Sequence, residues 1–419
     1  MEKALLVTIK LRSEKEAWDE EDVAYELEEL VAACGVEAID NIICNCDKPT
    51  PGYFIGSGKA EELAALVQVQ EIDVVIFSHD LSGTQQRNLE DVIGKKTIDR
   101  TQLILHIFAR HAKSQEGKMQ VELAQLQYLM PKLIGKGIIL SRTGGGIGTS
   151  GPGETKLEVD RRIIRKRIDR LREEISQFVK HRTTMRKKRK DNLTPSVALV
   201  GYTNAGKSTL LNALTDAGQV ESNGLFTTLD TLYKALQLPT GENIVISDTV
   251  GFLHNLPHHL IEAFKATLEE VVEADLLLHV LDVSSPRVLD QNKAVLQVLK
   301  ELGADKKKMI TVLNKIDLVD EKLWISKLKA EFDDTVEISA KFKTHIDVLL
   351  KKIADNFAGR MVQVKVVLPH SRMDLVNLFH KEGKVKQIKY LQKGIKVEVS
   401  LPKVLYNKLL HNKDLEDVC

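Results

Sequence analysis

Apolar and polar residues alternate in short stretches over residues 1–110, in the pattern of an α/β layer. The runs ALLVTIKL, EAIDNIIC and DVVIFSH have the length and composition of strands. The segments EEDVAYELEELVAAC, KAEELAALVQ and TQQRNLEDVI repeat their apolar residues at helical spacing. Because strand and helix patterns alternate, we predict a small α/β domain over this part of the chain.

The next segment, residues 111–192, has the three- and four-residue apolar spacing of helices that pack as in a coiled coil. Between the two helical patterns lies RTGGGIGTSGPGE, residues 142–154, which contains too much glycine for a helix. The pattern therefore predicts an antiparallel helical hairpin with a glycine-rich tip. A second helix of about 28 residues would be ~42 Å long at 1.5 Å per residue. The predicted seam positions are Met119, Leu123, Leu126, Met130 and Leu133, and Leu157, Ile164, Ile168, Leu171, Ile175 and Phe178.

Two further domains are predicted after the hairpin. Residues 193–360 again alternate apolar strands with helices, as in a doubly wound sheet. Residues 361–419 contain strand patterns in VQVKVVLP, VKQIKYL and IKVEVS, a helix from Met373 to Lys381 and a last helix. This arrangement predicts a small α+β domain, and no catalytic constellation is visible in its sequence.

The composition excludes several classes of protein. Of 419 residues, 43% are hydrophobic and 28% charged, which argues against collagen-like, mucin-like and disordered chains. No apolar run approaches the ~18–20 residues of a membrane span, and the first residues have a strand pattern rather than that of a signal peptide. The spacing of Cys34, Cys44, Cys46 and Cys419 is not that of a zinc site and indicates reduced thiols. We expect a cytoplasmic monomer without a membrane span, and peripheral membrane association stays open.

The net charge of +1 conceals an uneven distribution. Residues 1–30 carry four basic and ten acidic side chains, whereas residues 161–190 carry fourteen basic and three acidic ones. From Met361 onward there are eleven basic and six acidic residues. A local field of this strength attracts polyanions such as RNA, although a solvated helix face is the ordinary alternative.

The strongest chemical signal is VALVGYTNAGKSTLLNAL, an apolar strand followed by GxxxxGKS and a helix. A strand before and a helix after this motif are the context of a P-loop, whose backbone N–H groups face a phosphate. We expect Lys207 to neutralise the β- and γ-phosphates and the Ser208 hydroxyl to bind Mg²⁺.

Further motifs follow in the order that a GTPase requires. Thr228, in LFTTLD, lies 20 residues after Ser208 and is expected to close on Mg²⁺ and the γ-phosphate. Asp248 begins DTVG and is expected to hold Mg²⁺ through water, while the Gly251 N–H contacts the γ-phosphate. Asp317, in NKID, can accept two hydrogen bonds from guanine that adenine does not offer. The predicted GTP-binding residues are Gly201, Tyr202, Thr203, Asn204, Ala205, Gly206, Lys207, Ser208, Thr209, Phe226, Thr227, Thr228, Leu229, Asp230, Asp248, Thr249, Val250, Gly251, Asn314, Lys315, Ile316, Asp317, Ser339, Ala340 and Lys341.

The residue after DTVG bears on how GTP is hydrolysed. Phe252 stands where many GTPases carry the glutamine that orients the attacking water, and a phenyl ring cannot do so. We therefore expect slow intrinsic turnover and a partner or a second in-chain group that completes the site. Asn204 is the candidate ligand for an activating K⁺, a hypothesis that equal hydrolysis rates in K⁺ and Na⁺ buffers would overturn.

Nearly the whole chain resembles the HflX family of ribosome-associated GTPases, a branch of the translation-factor-like P-loop GTPases. The resemblance rests on YFIGSGKAEE, IFSHDLSGTQQRNLED, IDRTQLILHIFARHAKSQEGKMQVELAQLQYLMPKL, SRTGGGIGTSGPGETKLEVDRR and GYTNAGKSTLLNALT. It implies a cytoplasmic GTPase that binds the large ribosomal subunit and splits stalled ribosomes after stress. It also implies Mg²⁺ ligation by Ser208 and Thr228 and a glycine tip that approaches the peptidyl-transferase region. The expected contacts with ribosomal RNA are Arg142, Gly144, Gly145, Gly146, Gly148, Arg161, Arg162 and Arg165.

The expected fold class is α/β, with a doubly wound P-loop GTPase sheet as its largest part. A small α/β domain with a long antiparallel hairpin precedes that sheet, and a small α+β domain follows it. The predicted boundaries are 1–110, 111–192, 193–360 and 361–419. Two other functions stay open: a GTP-regulated factor that processes or remodels free RNA, and a signalling switch with a protein partner, which the basic segment disfavours.

Overall fold

The computed structural model describes residues 2–12, 18–132, 156–191, 194–215, 226, 232–255, 257, 260, 268–320, 322–392 and 394–411. The chain forms two compact units. The first contains Met1–His181 and the described residues within Ser222–Asp230 and His254–Thr267, and the second contains the rest. The four predicted domain boundaries stay predictions. Among the described residues, no helix is long and apolar enough to cross a membrane.

A four-stranded parallel sheet forms the centre of the first unit. Its order is β2-β1-β3-β4, with strands at Lys3–Leu11 (β1), Glu37–Cys46 (β2), Val74–Phe77 (β3) and Lys96–Asp99 (β4). Four helices accompany it: Glu20–Ala33 (α1), Ser57–Val69 (α2), Gly83–Ile93 (α3) and Arg100–His111 (α4). Every residue from Ala4 to Val7 is buried, so β1 is covered on both faces of the sheet. This is typical of an inner strand of a parallel sheet. The sequence pattern predicted this α/β layer but missed β4, because KTID has a single apolar residue whereas the equally short β3, VVIF, is wholly apolar.

The helical hairpin consists of Gln115–Lys132 (α5) and Lys156–Asp191 (α6). Eight of the predicted seam residues do pack together: Met119, Leu123, Ile168 and Leu171 are buried, and Leu126, Met130, Ile164 and Ile175 pack against them. Beside this seam, Arg167 donates two hydrogen bonds of 2.7 Å to the Glu122 carboxylate.

Two expectations about the hairpin need correction. Helix α6 has 36 residues rather than about 28, because the basic run that follows the seam continues the helix. Phe178 is 37% exposed and is absent from the seam, which ends with Ile175. Leu133, the Leu157 side chain and the glycine-rich tip lie outside the described residues.

The second unit has a six-stranded sheet in the order β10-β9-β8-β5-β7-β6. Its strands are Ser196–Gly201 (β5), Leu232–Gln237 (β6), Asn243–Asp248 (β7), Leu276–Asp282 (β8), Met309–Asn314 (β9) and Thr335–Glu337 (β10). Of these six strands, β6 is antiparallel to its neighbour β7, and the others pair in parallel. The accompanying helices are Lys207–Thr215 (α7), Val288–Glu301 (α8), Lys322–Glu331 (α9) and Ile346–Phe357 (α10). This is the predicted doubly wound sheet, and it brings the carboxyl ends of its parallel strands to one edge.

The second unit also contains a three-stranded antiparallel sheet in the order β11-β13-β12. Its strands are Met361–Leu368 (β11), Lys384–Leu391 (β12) and Gly394–Pro402 (β13), with helices at Met373–Glu382 (α11) and Lys403–His411 (α12). Phe379 of α11 is fully buried in the same hydrophobic core as Val397 and Val399 of the central strand. The predicted small α+β fold is therefore present.

Candidate nucleotide-binding site

The P-loop joins the end of β5 to the start of α7. Gly201 and Gly206 have φ angles of +155° and +91°, which side-chain-bearing residues rarely adopt. A Cβ atom at Gly201 would collide with the Val280 carbonyl oxygen, and one at Gly206 with the Asn314 amide. Both glycines are therefore required for the tight turn that aims the backbone N–H groups into the loop.

Lys207 is the cation of this loop. Its side chain is buried, and its ammonium group donates hydrogen bonds to the carbonyl oxygens of Gly201 at 3.1 Å and Tyr202 at 2.7 Å. Burial lowers the pKa of Lys207 to about 8, because the charged form loses its hydration. A cation that is already desolvated and fixed inside the loop is suited to neutralise a phosphate.

Ser208 and Asp248 lie together at the edge of the loop. The Ser208 hydroxyl donates a 2.6 Å hydrogen bond to Oδ2 of Asp248, which is fully buried at the end of β7. Hydroxyl and carboxylate oxygens are the hard ligands that Mg²⁺ prefers. No cluster of three histidine, cysteine or acidic residues suited to a metal occurs in the described part of the chain. The Ser208–Asp248 pair therefore fits a Mg²⁺ that is completed by phosphate oxygens and water.

The DTVG motif packs directly against the P-loop. The Thr203 N–H donates to the Phe252 carbonyl at 2.8 Å, and the Phe252 N–H donates to the Gly201 carbonyl at 3.1 Å. A Cβ atom at Gly251 would lie 2.8 Å from the Thr203 backbone and 3.1 Å from Nζ of Lys207. The Phe252 ring is 1% exposed, so it has no access to a water molecule in the site.

Asn314 connects the base-recognition motifs to the P-loop. Its amide donates to the Ala205 carbonyl at 2.9 Å, and its Oδ1 accepts from the Ala340 N–H at 3.0 Å. Next to it, Oδ1 of Asp317 accepts a 2.5 Å hydrogen bond from the buried Ser339 hydroxyl. The Asp317 side chain itself is exposed. This orients a carboxylate toward solvent, as the recognition of guanine N1–H and N2–H₂ requires.

The remaining predicted site residues fall into four groups. Thr209 and Ile316 are half-buried, and Lys341 is exposed. Asn204 is exposed with φ +60°, and Tyr202, Thr249 and Val250 are buried around the loop. Arg161 is half-buried on α6, whereas Arg162 and Arg165 are exposed there. The predicted residues Thr227, Thr228, Leu229, Asp230, Arg142, Gly144, Gly145, Gly146 and Gly148 lie outside the described residues.

Phe226 is buried in the first unit, and its ring meets that of Phe108 edge to face at 4.5 Å. Its φ angle is +58°, a strained value for an aromatic residue. The segment predicted to be the first switch is therefore fixed at this residue by the packing of α4.

Two residues near the site were not found from the sequence. Asp282, at the end of β8, forms a 2.7 Å ion pair with Lys315 and so holds the NKID motif. His279, also in β8, is 1% exposed, and its ring has no hydrogen-bond partner among the residues that the structure describes. Burial, and then the charge of Lys207, lower the pKa of His279 to about 4. Neither residue belongs to a sequence motif. Their place beside the site follows from the pairing of β8 with its neighbouring strands, which the sequence alone does not give.

Comparisons with known proteins agree with this geometry. Three family models match the chain: "GTP-binding GTPase N-terminal" over residues 21–109, "GTP-binding GTPase Middle Region" over 111–189, and "50S ribosome-binding GTPase" over 196–315. The chain is 46% identical over 400 residues to GTPase HflX of Caldanaerobacter subterraneus subsp. tengcongensis, covering 96% of this chain and 91% of that one. It is 40% identical over 410 residues to GTPase HflX of Escherichia coli K12, covering 97% and 95%.

A solved structure is also similar, that of a GTP-binding protein from the hyperthermophilic archaeon Sulfolobus solfataricus in complex with GDP. The sequence identity is 25% and the TM-score 0.45, over 86% of this chain and 99% of the other.

Proposed function

The chain belongs to the HflX family of GTPases, and from this premise we propose that it couples GTP hydrolysis to binding and splitting of stalled ribosomes through the large subunit. The protein binds and hydrolyses GTP. The observation that carries the ribosomal proposal is that the segment with the nucleotide site, residues 196–315, matches the model described as a 50S ribosome-binding GTPase. We place this activity in the cytoplasm and expect a monomer.

The long basic helix supports an RNA partner. Residues 161–190 of α6 carry fourteen basic and three acidic side chains, and Arg162 and Arg165 are exposed. A charge run of this density binds the phosphate backbone of RNA with strong salt dependence. We propose that Arg161, Arg162 and Arg165, together with Arg142 and the glycines of the tip, contact ribosomal RNA.

The proposed chemistry follows from the geometry of the P-loop. Lys207 neutralises the β- and γ-phosphates. Ser208 and Thr228, and Asp248 through water, would hold Mg²⁺, which would screen the charge that develops on the γ-phosphate. Asp317 selects guanine. Because Phe252 is buried and cannot orient water, ribosomal contact supplies the missing group, with K⁺ at Asn204 as a second candidate.

The conformational part of the proposal is a nucleotide-gated clamp. GTP orders Thr228 and the Gly251–Phe252 segment, and that state binds the ribosome. Hydrolysis to GDP removes the γ-phosphate contacts and lets the protein leave. Coupling between such sites is typically ~1–3 kcal/mol, or about 5–150-fold in affinity.

The first test measures GTP hydrolysis with and without purified large ribosomal subunits in K⁺ buffer. We expect strong stimulation that is lost in Lys207→Ala, and reduced stimulation when residues 142–154 are deleted. Incubation of stalled ribosomes with GTP should release free subunits on a sucrose gradient, whereas GDP should not. Replacing K⁺ by Na⁺ tests the Asn204 hypothesis separately.

A GTP-regulated factor acting on free RNA is the second candidate, because the basic charge of α6 attracts any RNA backbone. Short RNA alone would then stimulate hydrolysis as strongly as large subunits do. If neither short RNA nor large subunits stimulate GTP hydrolysis, both the ribosomal and the free-RNA proposals fail, and a protein partner becomes the candidate.

A further inference from the structure

The three-stranded sheet of the second unit packs both of its helices on one face. Phe379 of α11 and Leu409 of α12 share a hydrophobic core with Val397 of the central strand β13. Because successive side chains of a strand point to opposite faces of the sheet, Lys396 and Glu398 lie on the second face. Lys396 is exposed and Glu398 is half-buried, whereas the valine between them is fully buried. The second face is therefore open to solvent over this part of β13.

The register of the strands brings further polar side chains to the open face. Six residues form two rows across β11, β13 and β12, and we call them the basic face: Lys365, Glu398 and Gln387, then Val367, Lys396 and Lys389. The three lysines and the glutamine are exposed. The basic face thus carries three positive charges and one negative charge.

Two of these lysines stand directly opposite each other. Lys389 of β12 is in register with Lys396 of β13, and the Cβ atoms at such positions lie ~5 Å apart. The carboxylate of Glu398 lies in the other row, 3.6 Å from Nζ of Lys365. In the part of the chain that the structure describes, neither Lys389 nor Lys396 forms an ion pair. Like charges at opposed positions destabilise a sheet, and a bound polyanion would remove that cost.

The residue types of the basic face fit a phosphate backbone better than a protein partner. Protein interfaces are enriched in tyrosine, tryptophan and arginine and depleted in lysine, whereas nucleic-acid interfaces are polar and positively charged. None of the six residues is aromatic or an arginine. Tyr390, the aromatic residue of β12, is in register with the core residue Ile395 and so belongs to the helix-covered face. The basic face therefore offers contacts to phosphates but no ring on which a base could stack.

We propose that the basic face binds the phosphate backbone of RNA without preference for its sequence. Lys365, Lys389 and Lys396 contact the phosphates, and Gln387 is a neutral hydrogen-bond donor beside them. This surface is distant in sequence from α6 and the glycine-rich tip, and its binding of RNA requires neither a ribosome nor GTP hydrolysis. The inference goes beyond the ribosomal proposal and does not rest on it.

The experiment measures the binding of fluorescein-labelled oligouridylate, and of a labelled RNA of mixed sequence, to the full chain at several KCl concentrations. In the variant Lys365→Ala, Lys389→Ala, Lys396→Ala, we expect the affinity for both RNAs to fall about tenfold at low salt. The slope of log affinity against log salt should become shallower by about 2, because each phosphate contact with a single strand contributes ~0.7.

A matched control removes three exposed lysines elsewhere in the second unit. The variant Lys300→Ala, Lys306→Ala, Lys351→Ala makes the same change in net charge. Its affinity for RNA should change less than about threefold, because charges away from the binding surface act only through a field that salt screens.

The variant Lys396→Glu separates RNA binding from stability. It places opposite charges at the position where two lysines meet, so the melting temperature should not fall. RNA affinity should nevertheless fall, because a negative charge takes the place of a phosphate contact.

Thermal unfolding establishes that each variant is folded, and if the triple variant of the basic face is not, Lys396→Glu decides the matter by the same binding measurement. Unchanged RNA affinity and salt slope would overturn the proposal and leave the ribosomal one untouched. Equal losses in the two triple variants would show a general effect of charge and would overturn it as well. Binding of labelled polyglutamate that the basic-face variant loses, with RNA affinity unchanged, would assign this surface to an acidic protein instead.

Discussion

In the four-stranded and the six-stranded sheet, parallel strands lead into polar residues, but the two sheets use those residues differently. In the first unit, Asp99 at the end of β4 is fully buried and accepts hydrogen bonds from Tyr128 at 2.5 Å, Lys132 at 2.7 Å and the Leu81 N–H at 3.0 Å. In the second unit, Asp317 follows β9 with an exposed carboxylate that Ser339 orients. The same topology therefore provides a structural junction in one unit and a ligand-binding edge in the other.

The buried junction fastens the carboxyl-terminal end of α5 to the sheet. Burial, followed by the charge of Asp99, raises the pKa of Tyr128, so its hydroxyl stays protonated and donates to the carboxylate. A Cβ atom at Gly83 would lie 2.6 Å from the Lys132 carbonyl oxygen, which shows how closely α3 and α5 approach here. The hydrogen bonds that Asp99 accepts all serve packing, so mutations in the two sheets should have distinct consequences.

The largest effect is expected at the exposed carboxylate. Asp317→Ala should lower the preference for GTP over ATP by ~10⁴-fold, because two hydrogen bonds to guanine are lost. The ratio of kcat/KM values for the two nucleotides measures it. Asp320→Ala, an exposed aspartate in the same loop, is the control and should leave the ratio unchanged. An unchanged ratio in Asp317→Ala would show that another group recognises the base.

A smaller loss of catalytic efficiency is expected when Lys207 of the P-loop is replaced. Lys207→Ala should lower kcat/KM for GTP by ~10³-fold, equivalent to ~4 kcal/mol, because a preorganised charge on the phosphates is removed. The melting temperature should not fall, since the lysine is desolvated in the folded protein and its pKa is already lowered to about 8. Steady-state kinetics and calorimetry measure the two quantities. Lys293→Ala, which removes an exposed lysine, should change neither.

At the buried junction, stability rather than activity should change. Asp99→Ala should destabilise the first unit by ~3 kcal/mol, because Lys132 loses its buried partner. Faster hydrogen exchange of the backbone amides in β4 and α5 would reveal it, with GDP affinity unchanged. In Asp290→Ala, which breaks an exposed ion pair, exchange should be as in the unmodified protein. Lost GDP affinity in Asp99→Ala would contradict the division of roles between the sheets.

The smallest effect concerns pH and His279. The folded pKa of about 4 lies below the ordinary 6.5, so the unfolded chain binds the proton first as the pH falls. Stability is therefore fully present above pH 6.5 and is lost progressively down to about pH 4. Between pH 7 and pH 5 this loss is ~2 kcal/mol, and His279→Leu should not show it.

Urea unfolding at the two pH values measures the difference. The exposed His380→Leu serves as the matched control and should keep the dependence on pH. A parallel loss in His279→Leu and in the unmodified protein would assign the pH effect to other groups.

Local sequence patterns determined much of the fold. The spacing of Met119, Leu123, Ile168 and Leu171 predicted the hairpin seam, because helix periodicity alone decides which residues share a face. The same reasoning failed for Phe178, which is 37% exposed, since helical phase alone does not decide whether a residue is buried. It missed β4 because KTID contains a single apolar residue, Ile98, whereas the equally short β3 is wholly apolar.

The sequence by itself also determined the family, most of the succession of strands and helices along the chain, and the P-loop with its two glycines, since each depends on residues close together in the chain. Only the tertiary structure decided which charges are buried and what they hold. Arg100 meets Glu26 across 74 positions and the His254 carbonyl across 154. Such contacts depend on how the sheet orders its strands, and no local periodicity encodes them. The physical reason is that burial, which makes a charge costly unless a partner lies beside it, is a property of the packed molecule and not of any segment.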